Sequence, residues 1–288
     1  MATLREVRKR IKSAQNIQQI TKAMKMVAAA KLRKAQERIL AARPYADKIV
    51  EVITELAKSA DPERFPLVRE NISTEKQAII LVSADKGLCG SFNTNLVKET
   101  MGMMKEIKDL SMFYVGKKGM DLLKKFGHET EKFKFNDRDM DWDDIEEIGS
   151  EIIKNYEAEK YRKVHLVYSI FQSSLQQKIV RKQLLPVDFS DFEGEGKEGG
   201  AVRDYLYEPN EETVLNNLLV RYVKTTLYRA VLESQASEHG VRMVAMEMAT
   251  NNAGDMIRDL TLLANKTRQA QITKEISEIV GGAEAIKG

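Results

Sequence analysis

The stretch EETVLNNLLVRYVKTTLYRAVLESQASEHGVRMVAMEMATNNAGDMIRDLTLLANKTRQAQITKEISEIV, residues 211–280, contains no proline. Mostly apolar residues recur in it every three or four positions, which is typical of one face of an α-helix. Asn210 predicts the N-cap of this helix, and Gly281 with Gly282 predicts its end. Seventy helical residues would span roughly 105 Å, more than a compact domain can bury, so we expect a partner helix.

The N-terminal segment has the same helical pattern. Apolar residues recur with steps of three and four over residues 4–27, and the pattern resumes after Pro44. Thr3 followed by Glu6 predicts a capping box at the start. The sequence DPERFP at residues 61–66 predicts the end of this second long helix.

The first 43 residues are strongly basic. They contain twelve Lys or Arg, against Glu6 and Glu37 as the acidic residues. Such an arm suits an acidic partner, such as nucleic acid, anionic lipid or an acidic protein loop. It is also what the solvated face of a lysine-rich helix looks like, and the charge alone leaves both interpretations open.

The two long segments lie at opposite ends of the chain, and each needs a partner, so we predict that they pair. A compact insert between them makes the pairing antiparallel. The C-terminal segment is longer by about 20 residues, so one end should protrude as a single helix. Gln235, Arg242 and small residues in the seam argue against a regular zipper and favour a slender seam exposed to other subunits.

The middle of the chain alternates strand-like and helix-like segments. Such alternation predicts a small α/β domain with a largely parallel sheet. The predicted strands are 76–84, 112–115, 163–171 and 179–186, and the predicted helices are 93–108, 117–126 and 143–156. A flexible acidic loop is expected at residues 193–200.

The predicted fold class is therefore a mixture of α+β and α/β. A long antiparallel coiled coil of the N- and C-terminal helices carries an inserted Rossmann-like α/β domain. The expected segments are an N-terminal coiled-coil helix at 1–60, the α/β domain at 75–190 and a C-terminal coiled-coil helix at 209–286.

Composition excludes several classes of protein. No run of about 18 apolar residues is present, so we expect no transmembrane segment, and the N-terminus lacks the apolar core of a secretory signal. Cys89 is the one cysteine, which excludes an internal disulfide and a multi-cysteine metal site. These features favour a reducing, cytoplasm-facing location.

Residues with the chemistry of catalytic sites are sparse. Gly87 and Gly90 follow the first predicted strand, but their G-x-x-G spacing matches neither the dinucleotide nor the P-loop pattern, so a tight turn is favoured. Cys89 in that turn is interpreted as a small buried thiol. Alternating aspartates at residues 137–143 fail the calcium-loop pattern, and Asp141 with Asp143 should cap the following helix. We therefore expect a non-enzymatic protein without cofactor or metal.

Both ends of the chain, residues 7–36 and 265–285, closely resemble the gamma subunits of F-type ATP synthases. The resemblance continues through DKGLCGSFN at 85–93, DYLYEPN at 204–210 and RMVAMEMATNNA at 242–253, in order over essentially the whole chain. Its most specific part is the signature I-T-x-E-x-x-E-x-x-x-G-A, formed by Ile272, Thr273, Glu275, Glu278, Gly282 and Ala283.

This resemblance implies a central rotor shaft, which couples proton-driven rotation of the membrane c ring to ATP synthesis or hydrolysis at the beta subunits. The partners implied are the alpha, beta, epsilon, delta and c-ring subunits, with one copy of this chain in each complex. ATP chemistry would belong to the beta subunits. The chain would be a peripheral protein on the cytoplasmic side of the cell membrane.

The resemblance also implies two groups of contact residues. Those implied to contact the beta subunits are Lys22, Met24, Lys25, Arg242, Glu247, Arg268, Gln269 and Thr273. Those implied to contact epsilon and the c ring are Tyr205, Tyr207 and Glu208. For each of them, simple packing in the helix seam or solvation is the alternative.

Two other functions compete with the rotor shaft. A basic coiled-coil protein would bind nucleic acid through residues 5–43, although few aromatic residues are interleaved there. A nucleotide-binding enzyme would use residues 87–90, although the phosphate-binding pattern is missing.

Overall fold

A computed structural model describes residues 3–58, 60–134, 140, 142–192 and 207–287. The chain divides into two compact units, Met1–Ala28 with Met243–Gly288, and Ala29–Arg242. Two long helices, α1 (Leu4–Ala57) and α5 (Glu211–Lys287), contribute residues to both units. We call the first unit the helical unit and the second the α/β unit.

Both long helices begin with side-chain N-caps, as the sequence predicts. The amide of Thr3 donates to Glu6 Oε2 at 2.9 Å, and the amide of Glu6 donates to Thr3 Oγ1 at 3.3 Å. The amide of Thr213 donates to Asn210 Oδ1 at 2.8 Å at the start of α5. Each bond satisfies an amide that has no partner within the first helical turn.

The predicted end of α5 at Gly281 and Gly282 is wrong, because the helix continues to Lys287. Glycine in an exposed helix costs about 1 kcal/mol relative to alanine, which weakens the helix without forcing it to stop. Helix α1 ends at Ala57, before residues 61–66 as predicted, and it runs through Pro44 without interruption.

The helical unit pairs the two helices in antiparallel orientation. Lys25 bonds to Glu247, Thr21 to Thr250, and Gln18 lies against Gly254, so residue numbers fall along α1 as they rise along α5. From residue 268 to residue 282 every residue of α5 is exposed. The prediction of an unaccompanied helical end is therefore confirmed for these residues.

The α/β unit contains a five-stranded sheet in the order β3-β2-β1-β4-β5. Its strands are β1 (Gln77–Val82), β2 (Leu110–Val115), β3 (Glu129–Lys134), β4 (Lys163–Phe171) and β5 (Gln177–Leu185). The pairs β1–β2, β1–β4 and β2–β3 are parallel, and β4–β5 is antiparallel. The largely parallel sheet is confirmed, and β3 is a strand that the sequence analysis did not predict.

Helices cover both faces of this sheet. On one face α2 (Phe92–Glu106) and α3 (Lys117–Leu123) pack against the side chains of Ile79 and Leu81. On the other face α4 (Trp142–Glu157) and the α1 and α5 residues of this unit pack against Ile80 and Val82. Central parallel strands are apolar on both faces because both are covered.

Several sequence predictions fall on residues outside the described ranges. These are the acidic loop 193–200, Tyr205, Asp137, Asp139 and Asp141. Asp143 lies in the first turn of α4, where a carboxylate complements the helix dipole. The division into 1–60, 75–190 and 209–286 stays a prediction.

Candidate functional site

The seam of the helical unit buries small and apolar side chains, such as Val7, Ala14 and Ala253, and also contains polar contacts. Lys25 Nζ lies 2.6 Å from Glu247 Oε1, and these side chains are 38% and 48% exposed. The hydroxyls of Thr21 and Thr250 are 2.8 Å apart. Two threonine side chains meeting at that distance bring the helix backbones close together. The prediction that Gln235 and Arg242 lie in this exposed seam is wrong, because both belong to the α/β unit, where Gln235 is 6% and the Arg242 side chain 14% exposed.

The residues implied to contact a beta subunit differ in how available they are. Lys22 is exposed, Met24 is half-buried, and Lys25 is already paired with Glu247 across the seam. An exposed ion pair of this kind contributes about 0–1 kcal/mol, so it can be exchanged for another acidic partner at little cost.

Arg268, Gln269 and Thr273 lie on the unaccompanied part of α5. All three are exposed, and the Thr273 hydroxyl donates to the carbonyl of Gln269 at 3.0 Å. Their side chains are free to meet a partner surface without first leaving a packed core.

Large apolar side chains are also exposed in the helical unit. Ile272, Ile276 and Ile279 are 48%, 56% and 71% exposed, and their spacing of four and three places them on one face of α5. Others are Ile17, Ile20, Met26, Val27, Met248, Met256, Leu262, Leu263 and Val280. Soluble proteins seldom leave so many apolar side chains exposed together unless a partner covers them.

Arg242 belongs to the α/β unit, where it anchors a loop. Its guanidinium bonds to the Glu238 carboxylate, and Nη2 donates to the carbonyls of Gly87 at 3.1 Å and Lys86 at 3.4 Å. The side chain is 14% exposed. Burial raises the pKa of Glu238, and Arg242 opposes that rise. Arg242 therefore fixes the loop after β1 against α5.

The same loop contains Cys89 and the two glycines Gly87 and Gly90. The Asn93 side chain accepts from the amide of Ala84 at 3.0 Å and donates toward Cys89 Sγ at 3.2 Å. Cys89 is buried, and burial raises the pKa of its thiol, which disfavours the reactive thiolate. Gly90 has φ +54°, so this is the tight turn that the sequence favours.

Helix α5 fills the crevice where α/β folds bind nucleotides, at the carboxyl ends of β1 and β4. Ser234 Oγ donates to the carbonyl of Val82 and accepts from the amide of Ser169, both at 3.3 Å. Glu233 accepts from the amide of Phe171 at 3.1 Å. A nucleotide would have to displace these bonds, which argues against the nucleotide-binding enzyme.

Comparison with known proteins identifies the relatives of this chain. A family model described as ATP synthase matches residues 3–286. An ATP synthase gamma chain of Pelotomaculum thermopropionicum is 44% identical over 291 residues, covering 100% of both chains. One of Geobacter metallireducens is 42% identical over 292 residues, again covering 100% of both. The chain belongs to the ATP synthase gamma chain family.

Solved structures agree with this family assignment. A chain from the central stalk and c ring of the Tetrahymena thermophila mitochondrial ATP synthase is 27% identical, with a TM-score of 0.60, and the match covers 80% of this chain and 99% of that one. A chain of the Euglena gracilis mitochondrial ATP synthase has a TM-score of 0.69 at 21% identity, covering 98% and 94%, which shows the shared fold.

The residues predicted to contact epsilon and the c ring come just before α5 in the sequence. Tyr207 is half-buried against the larger core of the α/β unit, and Glu208 is exposed. Tyr205 lies outside the described residues. In the part of the chain that the structure describes, no group of three or more acidic, His or Cys residues could hold a metal ion, and no helix could span a membrane.

The apolar face predicted over residues 4–27 is only partly buried, because Ile17, Ile20 and Val27 are 52%, 59% and 58% exposed. The sequence analysis names Ile272 as part of the signature and does not predict the exposed face that it forms with Ile276 and Ile279. The signal was present, because isoleucines at these spacings form a stripe in a segment whose partner helix has already ended.

Proposed function

We propose that this chain is the central rotor shaft of an F-type ATP synthase. In this role it couples proton-driven rotation of the membrane c ring to ATP synthesis or hydrolysis at the beta subunits. The observation that carries the proposal is the unaccompanied end of α5, with Ile272, Ile276 and Ile279 exposed on one face. A ring of subunits around the shaft would bury these apolar side chains, which no other described part of this helical unit covers.

The chain itself would be non-catalytic, with ATP chemistry left to the beta subunits. The filled crevice at the carboxyl ends of β1 and β4 supports this division of labour. What the chain would supply is a different contact with each conformation of beta, so that rotation changes the relative free energies of those conformations.

The proposed beta contacts fall into three groups. Arg268, Gln269 and Thr273 are exposed on α5 and can contact beta directly. Lys22 and Met24 would do so on α1, together with the exchangeable pair of Lys25 and Glu247. Arg242 would act less directly, because it holds the loop after β1 in place.

Tyr205, Tyr207 and Glu208 would contact epsilon and the c ring near the start of α5. Alpha and delta complete the proposed complex, which would hold one copy of this chain and lie at the cytoplasmic side of the cell membrane as a peripheral assembly. The basic α1 arm would face acidic loops of beta rather than nucleic acid.

Co-expression with alpha and beta subunits tests the proposal. We expect a stable complex with one copy of this chain for every three beta subunits, measured by native mass spectrometry. Fully coupled ATP synthesis by a membrane-bound complex of the other subunits, assembled in the absence of this chain, would refute the rotor-shaft function.

Two truncations locate the function on α5. Removal of residues 266–288 should lower coupled ATP synthesis at least about ten-fold, because it deletes the exposed apolar face and Arg268. Removal of residues 281–288 is the matched control and should have little effect. Equal rates for the two truncated complexes would count against the assigned contacts.

A further inference from the structure

Three methionine side chains of the helical unit are open to solvent. Met26 on α1 is 61% exposed, and Met248 and Met256 on α5 are 58% and 56% exposed. Within the described residues, every other methionine is half-buried or buried. The rotor-shaft function as proposed above assigns no role to the three exposed sulfur atoms.

Methionines close to these three in the sequence or the fold are shielded. Met246 lies two residues before Met248 on the same helix and is 4% exposed, because residues two apart on an α-helix point about 200° away from each other. Met112 in the sheet and Met140 are 0% and 1% exposed. Helix α5 therefore carries a shielded thioether and an open one side by side, which gives an internal reference for their reactivity.

The three open methionines belong to the apolar surface that a partner would cover. Met26 and Met248 each follow one member of the Lys25–Glu247 pair, whose charged atoms are 2.6 Å apart, so both lie at the same level of the helix seam. Met256 lies eight residues further along α5, at an axial distance of roughly 12 Å. A change in the polarity of these side chains would therefore alter that surface at two levels.

Hydrogen peroxide makes such a change on accessible methionine. The sulfur lone pair attacks one peroxide oxygen, an S–O bond forms and the O–O bond breaks. The transferred oxygen gives its proton to the departing hydroxide, which leaves as water, so sulfur loses two electrons and peroxide gains them. The sulfoxide formed is polar and can be reduced back by methionine sulfoxide reductases. Burying it against an apolar partner surface without a hydrogen-bond donor is unfavourable.

We propose that Met26, Met248 and Met256 are sites of reversible oxidation by peroxide in the unassembled chain, and that their sulfoxides keep partner subunits from covering this surface. The first half of the proposal concerns the free chain, and the second half rests on the proposed rotor-shaft function. In the assembled complex the partners themselves would shield the three sulfur atoms, so oxidation acts on the chain before assembly.

Peptide mass spectrometry of the full-length chain after graded peroxide treatment tests the sites. Met26, Met248 and Met256 should each gain one oxygen atom at least about ten-fold faster than Met246 and Met112, because the reaction needs access of peroxide to sulfur. The comparison is made at peroxide doses that leave the urea midpoint of the chain unchanged. Equal rates at Met246 and Met248 would overturn the assignment of the sites.

Assembly after oxidation tests the second half. The treated chain is freed of peroxide and titrated into alpha and beta subunits. Oxidation should weaken assembly at least about ten-fold, and methionine sulfoxide reductases should restore it, which separates these residues from irreversible damage elsewhere. Unchanged affinity after oxidation would overturn this half alone. Failure of the untreated chain to assemble would refute the rotor-shaft function and this half with it, and the rates in the free chain would still decide the sites.

Two variants show which methionines are responsible, each compared with its own untreated sample. The triple variant Met26→Leu, Met248→Leu and Met256→Leu keeps apolar side chains of similar volume and lacks the three thioethers, so peroxide should leave its assembly unchanged. The matched control Met101→Leu with Met104→Leu removes half-buried methionines of the α/β unit and should lose affinity on oxidation as the unmodified chain does. A loss of equal size in the triple variant would overturn the proposal.

Discussion

Gly119 shows how tightly single residues of the α/β unit are packed. A Cβ atom at this position would lie 2.7 Å from Ser83 Oγ and 2.8 Å from Leu81 Cδ2. Ser83 Oγ also accepts the hydrogen bond of the Gly119 amide at 2.9 Å. We expect Gly119→Ala to lower the free energy of unfolding by about 1–3 kcal/mol, because the added methyl group overpacks the contact with β1. Urea denaturation measures this change.

Gly102 in α2 provides the matched control, since a Cβ there would meet nothing within 4 Å. Gly102→Ala should raise the free energy of unfolding by about 0.5–1 kcal/mol, because alanine loses less backbone entropy in a helix. If Gly119→Ala also raised the free energy of unfolding, helix propensity rather than packing would determine the effect of this substitution.

Arg242 and Glu238 form a buried ion pair, and removing the arginine alone should cost more stability than removing both residues. Arg242→Met leaves the buried Glu238 carboxylate without its partner, so we expect a loss of about 3–5 kcal/mol in the free energy of unfolding. The double substitution Arg242→Met with Glu238→Met should recover most of that loss, because no uncompensated charge remains. Guanidinium denaturation of the two variants decides; a double variant as unstable as the single one would point to lost loop contacts instead.

The same pair gives a dependence of stability on pH. Burial raises the pKa of Glu238 above 4.5, with Asp85 adding to the rise and Arg242 and Lys31 opposing it. The folded protein therefore holds this proton more tightly than the unfolded chain, so stability from this group is present at low pH and falls as pH rises above 4.5. The free energy of unfolding of the unmodified chain, measured relative to Glu238→Gln, should decline over that range, and a flat difference would contradict the assignment.

At the scale of elements, the sequence predicts those helices and strands whose own residues form a clear apolar pattern. The strands 163–171 and 179–186 and the helix at 143–156 were placed within two residues of their ends in β4, β5 and α4, because their apolar residues alternate or recur as one face requires. Strand β3 was missed because ETEKFK has no such alternation and none of its residues is fully buried. Its ion pairs with α4 are tertiary contacts, which a sequence pattern cannot display.

The stability that strand β3 gains from α4 should consequently depend on the ionisation of Glu147. Glu147 of α4 bonds to Lys132 and Lys134 of β3, and these bonds lower its pKa to about 2. The unfolded carboxylate titrates near 4.5, so the stabilisation is present above that pH and is lost as pH falls toward 2. Thermal unfolding between pH 2 and pH 5 should show a steeper loss for the unmodified chain than for Glu147→Gln, and added salt should reduce the difference. Parallel curves for the two proteins would mean that the network adds no stability.

The subunit contacts of the candidate site stay a prediction, and the structure shows only how available each residue is. Arg268, Gln269 and Thr273 are exposed as a contact surface requires, whereas Arg242, placed in the same group, is engaged with the loop after β1. A helical stripe shows which residues share a face. It does not show which side chains a distant loop will bind, so the anchoring role of Arg242 needed the folded chain.

At the scale of the whole molecule, the exposed isoleucines of α5 allow assembly to be tested separately from folding. Ile272, Ile276 and Ile279 contribute little to a fold in which they remain exposed, so their conversion to serine should leave the urea midpoint of the chain unchanged. A partner that buries the three side chains gains about 1.5–3 kcal/mol from each, so the same triple substitution should weaken assembly with alpha and beta by far more than ten-fold. Ile72→Ser removes an even more exposed isoleucine, 84% exposed, from a loop of the α/β unit and serves as the control for general surface effects. Assembly can be measured by titrating the chain into alpha and beta and following complex formation. If the triple variant assembled as tightly as the control, the exposed face of α5 would have no partner, and the proposed shaft would have to transmit torque through the polar residues alone.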